Sequence, residues 1–174
     1  MCTVRFCRNV MLISIMLGIL TTFLIGCQGS LVTGKSDQIL QESRIPIVPA
    51  GQHSGQYQTG DLTVDYTYSR NGANTLQIGG RVTFSSSLQT NFNVVSFFSL
   101  GLILADRSGN ILTQYDLAAA GPINFTQGGP ATINFNKTMQ VPPDTATMAF
   151  KYTGQARSDM RGAPTDFFSD PIAR

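Results

Sequence analysis

Val94-Val95-Ser96-Phe97-Phe98-Ser99-Leu100-Gly101-Leu102-Ile103-Leu104-Ala105 is apolar at nearly every position. A strand with one wet face alternates between apolar and polar residues; a run without that alternation reads as a central strand covered on both faces. Asp106-Arg107-Ser108-Gly109-Asn110 follows with turn chemistry, and Ile111, Thr113, Tyr115 and Leu117 return as the partner strand. A hairpin with a doubly covered strand needs further strands around it.

Toward the N-terminus, Leu62, Val64, Tyr66 and Tyr68 alternate with Asp61, Thr63, Asp65 and Thr67, the two-residue period of a half-buried strand. Leu76, Ile78, Gly80, Val82 and Phe84 repeat it after the turn residues Asn71 and Gly72. A two-residue loop would put the two apolar sets on opposite faces. A three-residue loop, Asn71-Gly72-Ala73, aligns Tyr66 with Ile78 and keeps them on one face. Gly79-Gly80 then marks a bulge or a close backbone approach.

Toward the C-terminus, a short piece at 123–125 follows Gly121-Pro122. After Gly128-Gly129-Pro130 a strand presents Ile133, Phe135, Met139 and Val141. Lys137 interrupts its apolar face, which predicts an edge strand. Pro142-Pro143-Asp144 turns the chain, and Ala146, Met148, Phe150 and Tyr152 form a further strand. Six or seven short strands over about 95 residues argue for an all-β fold, an antiparallel two-sheet sandwich of immunoglobulin-like type. The Cys and Trp hallmarks of true immunoglobulin domains are absent. Leu102-Ile103-Leu104-Ala105-Asp106 with its glycine turn resembles the core of the FxLYD-type sandwich of microbial envelope proteins. Leu104 and Asp106 match that pattern, and Leu102 and Ala105 stand where it has aromatics.

The sandwich is expected over residues 58–157. Ahead of it, residues 27–57 mix Gly, Ser, Gln and Pro and read as a flexible tether, with His53 in a loop and a short helix over 36–42 capped by Ser36. Behind it, residues 158–174 form a tail in which Phe167-Phe168 is expected to pack as a strap.

Residues 1–26 have a different character. Arg5 and Arg8 precede Val10 to Ile25, an uncharged and almost wholly apolar run of 16 residues. That is a secretory signal shape, shorter than the roughly 20 residues of a spanning helix. At its end Leu24-Ile25-Gly26-Cys27 resembles the bacterial lipobox. The resemblance implies cleavage between Gly26 and Cys27, with a diacylglycerol on the Cys27 thioether and an acyl chain on its amine. Two or more chains anchor stably, since each buried methylene contributes about 0.8 kcal/mol. Gln28 stands where the lipoprotein pattern uses Asp for inner-membrane retention, which favours the outer membrane.

Removing residues 1–26 leaves 148 residues, enough for one core, and takes Arg5 and Arg8 away, so ten basic residues balance ten acidic ones. Such a neutral chain lacks the basic footprint of nucleic-acid binding. Cys2 and Cys7 leave with the signal and Cys27 carries lipid, so no thiol remains for a disulfide.

Gly29-Ser30-Leu31-Val32-Thr33-Gly34-Lys35-Ser36 fits the phosphate-loop pattern letter for letter. That loop works between a strand and a helix of a parallel sheet; here it follows the lipid cysteine ahead of an all-β chain, so no nucleotide is expected at Gly29, Gly34, Lys35 and Ser36. With His53 as the only histidine, familiar Ser-His-Asp, Cys-His and zinc constellations cannot be assembled. Asp61 and Asp65 share a predicted strand face and could form a carboxylate pair, but read better as solvated. Asp159, Asp166 and Asp170 lack calcium-loop spacing. Asn124-Phe125-Thr126 and Asn136-Lys137-Thr138 are chance sequons in a lipoprotein.

The sequence therefore predicts a non-enzymatic, lipid-anchored envelope protein without a cofactor. Its sandwich would bind another envelope protein through loops or a sheet edge. The alternatives are a small-ligand binder with a pocket between the sheets, and a carboxylate-dependent hydrolase built on Asp61 and Asp65.

Overall fold

The computed structural model describes residues 37–72, 74–125, 131–159 and 161–173. The signal, the lipobox with Gly26 and Cys27, and the stretch Gly29 to Ser36 lie outside these residues.

The strands in chain order are β1 (Gln38–Ile39), β2 (Ile45–Pro46), β3 (Gln52–Gln58), β4 (Leu62–Asn71), β5 (Thr75–Phe84) and β6 (Val94–Ala105). They continue as β7 (Ile111–Ala120), β8 (Ile123–Asn124), β9 (Thr132–Gln140), β10 (Thr147–Arg157), β11 (Thr165–Ser169) and β12 (Ile172–Ala173). One short helix, α1 (Ser86–Asn91), carries the chain from β5 to β6. Its N-cap is Ser85, whose Oγ accepts from the Leu88 amide at 3.1 Å.

The fold is an all-β antiparallel sandwich. One sheet runs β11-β10-β6-β7, with β2 beside β10 and β8 beside β6; the other runs β3-β4-β5-β9. The chain crosses between sheets from β5 to β6, returns to place β9 beside β5, and crosses again to place β10 beside β6. These two interlocked pairs, with β11 following beside β10 and β4 beside β5, reproduce the immunoglobulin-like order in which B pairs with E and C with F. Strand β3 adds a further edge outside that set.

Between the sheets the core is filled by residues such as Leu62, Phe84, Phe98, Leu100, Phe150 and Met148, all fully buried. Phe84 and Phe98 meet edge-on at 5.1 Å, and Tyr66 and Phe150 meet tilted at 5.0 Å. The central strand begins at Val94 and ends at Ala105, as its apolar run predicts. Leu100, Leu102 and Leu104 face the core, while Ile103 and Ala105 lie on the opposite face, beside Ala149 of β10 and beneath Ile39. That second cover is a two-stranded ribbon, Gln38 opposite Ala173 and Ile39 opposite Ile172.

Four sequence expectations are corrected. Residues 38–57, expected to be part of a flexible tether, instead carry β1, β2 and nearly all of β3. The helix expected over 36–42 is replaced by β1 and a 3-10 turn at Gln41–Ser43, because burying Ile39 against Ile103 outweighs local helix preference. The tail 158–174 likewise carries β11, paired with β10, and β12. The hairpin loop has three residues as expected but sits one position later: pairing continues to Asn71 opposite Thr75, so Tyr68 faces Ile78 and Tyr66 faces Gly80. Gly72 takes the left-handed φ of 67° that this turn needs.

Candidate binding surface

The two rims of the sandwich differ. At the β3/β11 rim, Tyr57 Oη and Ser169 Oγ are 2.8 Å apart, and Tyr152 Oη donates to Asp61 Oδ2 at 2.8 Å. Thr59 Oγ1 lies 2.9 Å from the same phenol oxygen and accepts from the amides of Asp61 and Leu62, each at 3.3 Å. Burial holds the Tyr152 phenol well above the usual tyrosine range, and the carboxylate of Asp61 adds to that. Burial also raises Tyr57, against the opposing effect of its bond to Ser169. The polar atoms that join the sheets here are therefore neutral phenols and hydroxyls held against one carboxylate.

The opposite rim is bounded by β7 and β9, each the last strand of its sheet. Tyr115 Oη donates to the Gln140 carbonyl and closes one end. Beyond it runs a groove of ≈ 390 Å³ lined by Asp116, Leu117, Ala118 and Ala119 on one side and by Ile133, Asn134 and Lys137 on the other. The small side chains of Ala118 and Ala119 keep this rim low, and Asp116 and Lys137 put opposite charges on its walls. Both strands present backbone donors and acceptors on the side away from their single neighbour. Lys137 thus lies on an edge strand, as its break in the apolar pattern predicts.

The outer face of the β3-β4-β5-β9 sheet is a polar grid set by register. Its central rows read Ser54–Thr67–Gly79–Asn136 and Gln56–Asp65–Arg81–Asn134; the rows on either side read Gln52–Ser69–Gln77–Thr138 and Gln58–Thr63–Thr83–Thr132. Gln56 Nε2 donates to Asp65 Oδ1 at 2.8 Å and Arg81 Nε to Asn134 Oδ1 at 3.1 Å. Two depressions, ≈ 370 Å³ and ≈ 740 Å³, share Thr67, Gly79 and Gly80.

The remaining candidate residues are dispersed. Asp65 lies on the outer face, whereas the Asp61 carboxylate reaches Tyr152 of the other sheet, so the two engage different surroundings. His53 is in β3 opposite Tyr68, with ring centroids 5.3 Å apart, and its Nε2 lies 2.7 Å from the Ala50 carbonyl. Asp159 caps its own turn, accepting from the Arg161 amide at 2.7 Å, and Asp166 accepts from Gln155 at 3.1 Å. Among the described residues, no three His, Cys, Asp or Glu side chains come together as metal ligands. The β7/β9 groove is not among the sequence expectations, although Ala118-Ala119-Ala120 at the end of a strand is a signal of a low rim. No family model, curated protein or solved structure significantly matches the chain.

Proposed function

We propose that this protein is a lipid-anchored component of the cell envelope whose sandwich is a binding module. Acylated Cys27 holds it to a membrane, the outer membrane being favoured by Gln28, and the β7/β9 groove takes an extended segment of another envelope protein. One observation carries the binding role: among the described residues β9, nine residues long, pairs only with β5 and faces β7, the last strand of the other sheet, across a groove. An added strand would satisfy exposed backbone groups, and its alternate side chains would meet Ile133 and the alanines. Tethering adds to this by raising the local concentration of the module near its partner. The ten residues from Gln28 to Asp37 can reach at most about 35 Å when extended, which keeps the module close to the membrane surface.

The test is in-cell photo-crosslinking from position 137 in the groove and from position 58 at the other rim, with mapping of the captured peptide. The reading expects one extended partner segment captured at 137 and not at 58. Equal capture at both rims, or none at 137, would reject the groove. Separately, intact mass of the membrane-extracted chain, with Cys27→Ser as control, should give an N-terminus at Cys27 bearing acyl mass. An unmodified chain retaining Met1 would reject the anchor.

A further inference from the structure

We propose that the outer face of the β3-β4-β5-β9 sheet binds a neutral glycan chain, laid along the trough over Gly79. Sheet faces exposed only to solvent ordinarily carry interspersed lysines and glutamates, which keep them soluble and discourage pairing. Of the sixteen residues in the four register rows, only Asp65 and Arg81 are charged, and they stand directly opposite each other on β4 and β5. None of the sixteen is a large apolar residue, so the face has no anchor of the kind that drives protein docking.

What it does carry is neutral hydrogen-bonding capacity. Gln52, Gln77, Asn134 and Asn136 present amides, each with two donors and an acceptor oxygen, among threonine and serine hydroxyls. A surface that both donates and accepts without net charge suits a ligand with the same property, and a polyhydroxylated sugar chain has it. Shape agrees with this. Gly79 leaves a gap between Thr67 and Asn136, and an added Cβ there would meet only ordinary contacts, the nearest being the Phe135 carbonyl at 3.4 Å. The two depressions, each lined by all four strands, adjoin at Thr67, Gly79 and Gly80 and together form the trough. This face shares only Asn134 with the β7/β9 groove, and the proposal stands whether or not the groove and the anchor do.

The experiment titrates the full-length chain in detergent micelles with four neutral hexasaccharides (cello-, chito-, malto- and manno-), read by amide chemical shifts including the Asn and Gln side chains. A heparin hexasaccharide serves as the polyanionic comparison. The proposal expects saturable shifts on this face with at least one neutral chain. Gly79→Val, which fills the trough with a strand-favouring side chain, and Asn136→Ala should each weaken that binding about fivefold, as the loss of one neutral hydrogen bond would. The rest of the amide spectrum should be unchanged, showing that both variants fold. Saturable shifts with none of the four neutral chains would overturn the proposal. So would shifts confined to another face, equal binding of heparin, or unaltered affinity in both variants.

Discussion

Tyr152, on β10 of one sheet, donates its phenolic proton to Asp61 at the entry to β4 of the other, at 2.8 Å. The bond crosses from sheet to sheet, and the Thr59 hydroxyl beside it organises the turn that delivers Asp61. Tyr152→Phe keeps the ring packed on Phe98 and Phe167 but strips Asp61 of its donor. Because Asp61 is only partly buried and water can replace the phenol, the expected loss is about 1–2 kcal/mol. Urea unfolding at neutral pH should show a lower midpoint with an unchanged m-value.

The same phenol makes stability sensitive to alkali. The folded state raises the Tyr152 pKa, chiefly by burial, and raises Tyr57 and Tyr66 as well. Above pH about 10 the unfolded chain gives up these protons while the folded chain keeps them. The unfolded state then binds fewer protons, so stability is full below pH 10 and falls as pH rises beyond it. Tyr152→Phe should show a shallower fall than wild type when unfolding midpoints are compared from pH 8 to 11. Parallel curves would mean that Tyr152 is not a source of the alkaline loss.

How much of the fold is legible in the sequence depends on what faces inward. The run from Val94 to Ala105 could be bounded because both of its faces are buried near Leu104, leaving no polar interruption. The β4/β5 pairing kept the right parity because Leu62, Val64, Tyr66 and Tyr68 had to share a core with Leu76 and Ile78. Strand β3 was hidden because its inward positions are His53, Gly55 and Tyr57, so its alternation does not read as apolar against polar. Gly55 is there because Tyr66 fills its place: an added Cβ would lie 2.4 Å from the Tyr66 hydroxyl oxygen. The groove and the polar face were invisible for another reason. Each depends on which strands become neighbours, and strand order is a property of the whole chain.

Adjacent glycines on β5 give opposite expectations. Gly80 points into the sandwich, where an added Cβ would sit 2.2 Å from the Asp65 carbonyl and 2.8 Å from the Phe135 ring. Gly80→Ala must therefore separate strands, at a cost of about 2 kcal/mol. Gly79→Ala meets no such obstacle and should leave stability unchanged or raise it by up to about 1 kcal/mol, since alanine restricts the unfolded chain. Thermal unfolding of the two variants side by side checks the assignment of faces; equal effects would contradict it.

Ile39 tests whether the terminal ribbon belongs to the fold. It is 1% exposed and packs on Ile103, Ala105 and Ala149, on the far side of the sheet from the main core. Ile39→Ala should cost about 2–4 kcal/mol. Hydrogen exchange should accelerate first at Ile39, whose amide bonds to the Gly109 carbonyl at 2.9 Å, and at the β6–β7 turn that this bond braces. A variant with wild-type stability would show that β1 contributes nothing to the folded unit.

The strap at β11 carries the sharpest contrast between neighbours. Phe167 is 7% exposed and lies against Phe84, Phe98 and Tyr152, with ring centroids 6.2–6.3 Å away. Its ring also occupies the place that a side chain at Gly154 would take, with Phe167 Cζ 2.3 Å from the ideal Cβ position. Phe168, on the other face, is 69% exposed. Phe167→Ala should therefore lose about 3–5 kcal/mol by leaving a cavity above Gly154, and Phe168→Ala should change stability by no more than about 0.5 kcal/mol. Because Tyr57 and Ser169 bond across the same rim, loss of Phe167 should also loosen β3, speeding hydrogen exchange from Gln52 to Gln58 while leaving the β6/β7 hairpin protected. Uniform acceleration in both regions would mean instead that the strap and the core unfold as one unit. In that event β11 is as integral as the central strand, even though it lies in the part of the chain that reads as a tail.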